Sequence, residues 1–487
     1  MKNRFDENVW KRVLLAIGIL TILSVEGFAQ FPEDALRFAT PGLGVGARAI
    51  AMGGAYTGVA NDYSALFWNP AGLAQLENSE FSIGLSHLNF KDNGSYFATS
   101  NLYSNNSTTL NALGLVFPVP VRRGSLVFAF GYNRESNFTT GLSYSMLSAR
   151  SIAQDFAPDG ELAPRDNQGK LLYNTAFELY LADTSNGGRW FSPIKGGLTQ
   201  SEKTLEGGGI NNWSVGAGID LARNISAGVT LTYRSGSYKF DRTYSERDVN
   251  NIYHSTIETD PRNFDNLSID DVVESDLTGF NAKLGLMFRE PDRYRVGIAV
   301  KTPTVYTVKE RFGTSYTNTP DFGQVVNLPA DDQSGQYDVA TPWVFSGGAS
   351  LILNDLVLSG DVEYTDWSQL EFRDANADVL ALNKKIKDTF RGTANVRGGI
   401  EYNIRNVGVR VRGGFIYNTS PYQGDPSSFD QKYVTGGLGI LLSESTMLDL
   451  TYAHGWWQTF RNDYRGLANI FEKINTNNFN LTFTYRY

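Results

Sequence analysis

Residues Gly42–Ala74 read GLGVGARAIAMGGAYTGVANDYSALFWNPAGLA. The stretch is rich in Gly and Ala, and its only charged residues are Arg48 and Asp62. It shows neither sustained alternation nor a long helical stripe, the two periodicities that announce strands and helices. From about Phe81 onward the chain changes character, into short alternating runs joined by polar connections. These two textures together predict a compact plug followed by a long series of strands: a barrel that carries its own N-terminal stopper.

The bulk numbers are consistent with that reading and exclude others. A chain of 487 residues could hold several domains, but all-β barrels often run long as one. Its 49 glycines and its aromatic content of 13% suit strands with small residues on one face and large ones on the other. The mean hydropathy of -0.28 excludes a bundle of membrane helices, which would need several apolar runs of about 20 residues each. A barrel strand crosses with about ten residues, half of them polar. The absence of Cys leaves no disulfide, no thiolate metal site and no lipid-modified cysteine. A net charge of -8 without a basic stripe speaks against a nucleic-acid partner.

The first residues read as a processing signal. Lys2, Arg4, Lys11 and Arg12 precede an apolar core from Val13 to Val25, and Gly27 and Ala29 place small residues before a cut near Gln30. The core is too short to span a bilayer comfortably. Residues 1–29 are therefore expected to be a signal peptide, 30–78 a plug and 79–487 the barrel.

Period-two runs fill the remainder. Phe81, Ile83 and Leu85 alternate with Ser82, Gly84 and Ser86; Ile225, Ala227, Val229, Leu231 and Tyr233 alternate with Ser226, Gly228, Thr230, Thr232 and Arg234. Fourteen such runs are expected, the last at Asn478–Tyr487. Six connections are short, such as Ala222–Asn224, Asn354–Asp355 and Ser443–Ser445, and alternate with seven long ones, from Lys91–Thr109 to Trp456–Asn477. An even strand number with short turns at one end and long loops at the other is the arrangement of outer-membrane barrels. The longest insertion spans about Glu135 to Asn211.

Alternation alone does not separate a lipid-facing exterior from a soluble core. The charges on the opposite faces do: Lys283, Arg295, Lys301, Asp361, Glu363, Arg397, Glu401, Arg410, Arg412 and Asp449. Burying these unpaired in an apolar interior would cost several kcal/mol each, so a wet bore is predicted. Phe90, Tyr132, Tyr233, Tyr364, Tyr402, Tyr417 and Tyr452 lie toward strand ends, as an interfacial girdle would. The aromatic C-terminal strand resembles the signal read by bacterial barrel-assembly machinery.

Other candidate motifs are weaker. Gly42-x-Gly44-x-x-Ala47 superficially matches a dinucleotide fingerprint but lacks the βαβ frame that motif requires. His87, His254 and His454 share no metal spacing; a Ser–His hydrolase on barrel strands is conceivable with His87 or His454, but lone histidines are more often ordinary lumen or loop residues. The acidic run Asp265–Asp276 has no calcium-loop pattern and reads as a solvated loop. Ala375–Lys387 and Asn174–Ala182 carry helical stripes on long loops, as a greasy landing site or as loop packing. No catalytic, cofactor or metal residue is expected, and the chain is not read as an enzyme.

The run Gly46–Tyr56 (GARAIAMGGAY), then Asn61-Asp62 and Asn69-Pro70-Ala71-Gly72-Leu73, resembles the N-terminal hatch of the FadL-type hydrophobic-compound (long-chain fatty acid) transporters. Tyr364-Thr365-Asp366-Trp367-Ser368 is similar to a second stretch many members carry. The resemblance implies a fourteen-stranded transmembrane β-barrel of the bacterial outer membrane, plugged by its N-terminal segment. Hydrophobic ligands would be captured at outer loops, held in the lumen and released by hatch movement and a gap in the wall, with no cofactor. The implied hatch residues are Arg48, Gly53, Gly54, Asp62, Asn69, Pro70 and Ala71; Arg295, Lys301, Arg397 and Arg410 are candidates for a ligand headgroup, or else for internal ion pairs with Asp361, Glu363 or Glu401. Expected partners are a fatty acid or hydrocarbon, outer-membrane lipid and the assembly machinery, with the barrel a monomer. The same hatch motif occurs in PorV-like partners of type IX secretion, an alternative role.

Overall fold

The computed structural model describes residues 31–96, 99–185, 187–290, 292–466 and 468–487, so the expected signal peptide lies outside the described residues. The chain is a closed antiparallel barrel of fourteen strands around an N-terminal plug. The strands are β1 (Glu80–Tyr96), β2 (Thr99–Val119), β3 (Leu126–Asn137, continued by Thr140–Ser148), β4 (Leu198–Ala222) and β5 (Ile225–Arg247). They continue with β6 (Asn266–Glu290), β7 (Tyr294–Lys301, then Val305–Thr319), β8 (Gln333–Ala340, then Val344–Leu353) and β9 (Leu356–Asp366). The last five are β10 (Gly392–Ile404), β11 (Val409–Asn418), β12 (Gln431–Ser443), β13 (Thr446–Asn462) and β14 (Asn469–Arg486). Each pairs with its sequence neighbour, and β14 closes on β1 from Glu80↔Arg486 to Ser95↔Phe471.

The outward side chains explain why this sheet closes around a polar bore. Phe128, Val215, Leu231, Leu284, Ile298, Phe345, Val362, Ile400, Val411, Val434 and Phe479 all point out and are exposed. In lipid such side chains are at home, and every backbone group must pair within the wall, which only a closed sheet allows. No helix among the described residues is long and apolar enough to cross a membrane; the crossing elements are strands.

Four expectations need correction. Lys91–Thr109 is not a long loop: β1 and β2 stay paired up to Tyr96↔Thr99. Above the membrane the outward face no longer has to be apolar, and the inward face buries polar Asp92 as well as Tyr96, so hydrophobic alternation disappears while the backbone ladder continues. The acidic run after Asp265 is likewise strand, residues 266–276 being the paired outer half of β6. The longest connection is shortened to residues 149–197, because both flanking strands continue outward. Finally, Phe90 is no girdle residue; it is buried on the inner face, whereas Tyr233, Tyr364, Tyr402 and Tyr452 are exposed outside.

The helical stripe in the loop before β10 is a helix, α-helical over Ala377–Thr389, with Asn376 capping it through Val379 N. Val379 and Ile386 pack it into an apolar cluster with Trp367, Phe372 and Phe390. The Asn174–Ala182 stripe gives only one turn, Thr175–Glu178, whose neighbours Leu179 and Leu181 are fully buried under the outer loops. Both stripes serve loop packing.

Candidate functional site

The plug begins with a helix, α1 (Pro32–Ala39), started by Pro32 and by the Asp34 carboxylate accepting from Phe31 N at 2.7 Å. Its Leu36 and Phe38 pack against Phe138, Tyr238, Tyr306 and Trp367 in the outer lumen. Arg37 pairs with Asp34 and reaches Glu206 of β4 at 3.6 Å. Burial raises the Asp34 carboxyl above its ordinary pKa, against the pull of Arg37. The chain then passes through Pro41–Gly44 to two short helices, α2 (Ala47–Ala51) and α3 (Ala65–Trp68), and a 3-10 turn over Pro70–Gln75.

Polar clamps fix this segment to the wall. Arg48 donates twice to Glu401 of β10, at 2.8 Å each, and once to Asn61 at 2.7 Å. Glu401 also accepts from Arg412 at 2.6 Å, and Arg412 bonds Asp449 at 2.5 Å. These buried charges are thus compensated, as burial demands. Asp361 accepts from the backbone N–H groups of Tyr56 (2.8 Å) and Thr57 (2.7 Å). Asp62 accepts from Tyr56 Oη at 2.5 Å and from Ser64 N at 2.9 Å. Asn69 caps the 3-10 turn through Ala71 N at 3.1 Å, and its amide donates to Thr57 O at 2.9 Å and Leu286 O at 3.3 Å. Pro70, with no N–H to satisfy, opens that turn.

Close approach to the wall depends on glycine on both sides. Gly53 and Gly54 adopt φ of +64° and +66°; a Cβ on Gly53 would lie 2.6 Å from the carbonyl oxygens of Gly398 and Phe415. From the wall side, a Cβ on Gly285 would lie 2.0 Å from Asn69 Oδ1, and one on Gly414 2.2 Å from Gly53 N. Pro70 and Ala71 lie against β4 and β5, where a Cβ on Gly228 would come within 2.2 Å of Pro70 C, so the proposed hatch residues sit in one packed unit against the wall from β4 to β12.

The four cationic candidates separate. Lys301 and Arg397 line a cavity between plug and wall, with Trp68, Lys283, Glu135 and Glu363. Arg397 pairs with Glu363 at 3.0 Å, Lys301 lies 4.0 Å from Glu135, and Lys283 donates to Phe67 O. Arg295 and Arg410 lie two residues or so from the short-turn ends of their strands and have no hydrogen-bond or ion-pair partner among the described residues. Sequence reasoning did not find Glu135 and Arg234, which form a buried ion pair in this cavity. Arg234 occupies an inward position of an alternating strand, a usable signal; Glu135 stands in the unpatterned run NRESN, which has none.

The charged cavity is the smallest of the three spaces around the plug, about 60 Å³. Two larger spaces adjoin the same Pro41–Gly42 link. One, of about 180 Å³, lies under the outer loops beside Leu36, Trp367, Tyr422, Phe429 and Trp457, and Arg397 also borders it. The other, of about 220 Å³, reaches Leu88, Phe90, Asn111 and Ser136. There the wall is interrupted. β2 and β3 pair only from Ala112↔Asn133 to Val119↔Leu126. Farther out, β2 bonds only to β1, and β3 only to β4. The β1–β2 hairpin then rests on the outer half of β3 through side chains, with the Tyr103 ring 2.3 Å from where a Gly141 Cβ would stand. The result is a window bounded by paired strands below and by packed side chains above.

Residues 210–481 match the family model described as outer membrane protein transport protein (OMPP1/FadL/TodX). No curated protein sequence matches the chain. Among solved structures, it is similar to the Pseudomonas putida toluene transporter TodX (14% identity, 91% of this chain and 99% of that one, TM-score 0.55). It is also similar to a Pseudomonas aeruginosa FadL homologue (14%, 92% and 98%, 0.54) and to the CymD monoaromatic hydrocarbon channel (14%, 91% and 98%, 0.53). At these identities the likeness is one of fold.

Proposed function

The chain belongs to the OMPP1/FadL/TodX family of outer-membrane transport proteins, and from that premise we propose that it admits long-chain fatty acids or hydrocarbons of similar shape. The observation that carries the reading is the pair of larger cavities meeting at Pro41–Gly42, one under the outer loops and one at the window. An apolar ligand entering the outer cavity meets Leu36, Trp367, Tyr422 and Phe429, and gains about 25 cal/mol per Å² of apolar surface removed from water. Arg397, which borders this cavity, is the headgroup candidate best placed for a carboxylate; Lys301 borders only the smaller charged cavity that Arg397 also lines. Arg295 and Arg410 would act later, near the short-turn end.

In this account residues 30–78 act as a hatch. Arg48, Asp62 and Asn69-Pro70-Ala71 hold the plug shut, and Gly53 and Gly54 let it lie flush with the wall. The ligand moves past Pro41–Gly42 and leaves sideways through the window between β2 and β3, so the plug need not open fully. The family match and the similar structures are transport proteins, and nothing in the cavities favours the secretion-partner alternative. The test is mass spectrometry of protein purified in mild detergent from cells fed long-chain fatty acids. Fatty acid is expected to co-purify and to be reduced by Arg397→Ala. Protein free of apolar ligand, together with unchanged uptake after gene deletion, would contradict the proposal.

A further inference from the structure

On the outer wall, above the apolar band, β5–β8 carry a cluster of charges that the transport reading does not use. Lys239, Glu274, Asp276, Lys309 and Arg311 point outward, since the intervening Tyr238, Ser275 and Glu310 are buried. The register sets them in two rungs. Asp276 stands opposite Lys309, and Glu274 lies between Lys239 and Arg311. Glu274 is shared by Arg311 at 3.1 Å and Lys239 at 3.7 Å, while Lys309 has neither a hydrogen bond nor an ion pair among the described residues. The rungs line a concave surface of about 690 Å³.

What lies beneath them identifies the occupant. Tyr233 and Phe280 pair across β5 and β6 with ring centroids 4.9 Å apart, and Val305 stands beside Phe280 on β7; all three are exposed outside. Asp276 is four residues outward of Phe280, which at about 3.4 Å per residue and a tilt near 40° is about 10 Å in height. The long loops are at this end, so it faces the cell exterior. A molecule that fills the groove at that height while touching the wall below must have acyl chains and an anionic head.

We propose that this patch docks the phosphorylated headgroup of an outer-leaflet glycolipid, its acyl chains lying on Tyr233, Phe280 and Val305. Lys309 supplies an uncommitted ammonium, and Arg311 offers a planar fork suited to phosphate oxygens. Lys239 is shared between Glu274 and Asp241 (3.5 Å), so three cations stand among three carboxylates and Lys309 is the one that no carboxylate among the described residues engages. A free phosphate would engage the rungs alone and gain nothing from the wall.

The experiment titrates wild-type barrel in mild detergent with bis-phosphorylated lipid A, its dephosphorylated analogue and inorganic phosphate, read by native mass spectrometry. The phosphorylated lipid is expected to bind at one per barrel, about tenfold or more tighter than the dephosphorylated form. Millimolar phosphate should not displace it. The variant K239Q/K309Q/R311Q should lose that preference while keeping the heat-modifiable migration of a folded barrel. Equal binding of the two lipids by the wild-type protein would overturn the proposal without any variant. Full displacement by inorganic phosphate would overturn it by assigning the patch to a free anion.

Discussion

Two seams of the same wall differ sharply. Where β14 meets β1, the ladder runs unbroken from Glu80↔Arg486 to Ser95↔Phe471. Where β2 meets β3, it stops after Ala112↔Asn133, and a window takes its place. The closed seam is also tied to the plug: Glu80 pairs with Arg486 at 3.0 Å and accepts from Tyr63 N at 3.0 Å. The open seam meets the plug without an ion pair, through Gly42 N donating to Glu135 O at 2.9 Å and Ser136 Oγ donating to Thr40 O at 3.0 Å. An unpaired strand edge facing lipid would cost several kcal/mol per polar group, and irregular backbone persists at that depth only where it lines a cavity. A 220 Å³ space lies behind the window, lined in part by Asn111 and Ser136. The lesson is that closure and access are divided between seams: one carries the barrel's integrity, the other is free to pass a ligand.

Three variants probe this division. The largest effect is expected from Glu80→Ala, which strands Arg486 and frees Tyr63 N at a buried site. Arg486 is 38% exposed and stays hydrated, so losing the charge-assisted bonds from Arg486 and Tyr63 N costs about 2–3 kcal/mol, measured as a lowered urea midpoint of the folded barrel. Next comes the pair Asn69→Ala with Pro70→Ala, on the plug alone. Loss of the cap and of the bonds to Thr57 O and Leu286 O is worth about 1–2 kcal/mol, and should appear as increased leak conductance in planar bilayers with an unchanged urea midpoint. Unaltered leak would show that the plug is not held by this motif. The smallest is Asn111→Ala at the open seam, where a single bond to Asn480 at 3.1 Å is lost. About 1 kcal/mol or less is expected; a loss as large as that of Glu80→Ala would erase the contrast between the seams.

The sequence was legible wherever lipid imposed a rule. One face of each crossing strand had to be apolar, so Phe81–Leu85 and Ile225–Tyr233 announced both strand and orientation. The inner charges were also correctly placed, because Glu363, Arg397, Glu401 and Arg412 fall on the alternate positions, and their pairing follows from burial. Legibility failed above the membrane. In the outer halves of β1, β2 and β6 the outward face meets water instead of lipid and the inward face mixes polar with apolar residues, Asp92 and Ser275 beside Leu267 and Ile269, so hydrophobic periodicity fades although the backbone stays paired. The window was invisible for a related reason. It arises from a missing ladder between two runs that each read as ordinary strand, and no residue type marks an absence of pairing. Glu135 escaped because it sits at the edge of that window, where the strand's alternation has already broken.

The central claim, that ligand leaves through the open seam, is tested most directly by closing it. Cysteines at Asn111 and Ser136, joined by a short reducible thiol linker, would bridge β2 and β3 at the window and leave the β14–β1 ladder paired, with only the Asn111 bond to Asn480 lost. Uptake of labelled long-chain fatty acid by cells carrying this variant should be lost on cross-linking and restored on reduction, at constant barrel level. Uptake unchanged with the seam bridged would contradict the account.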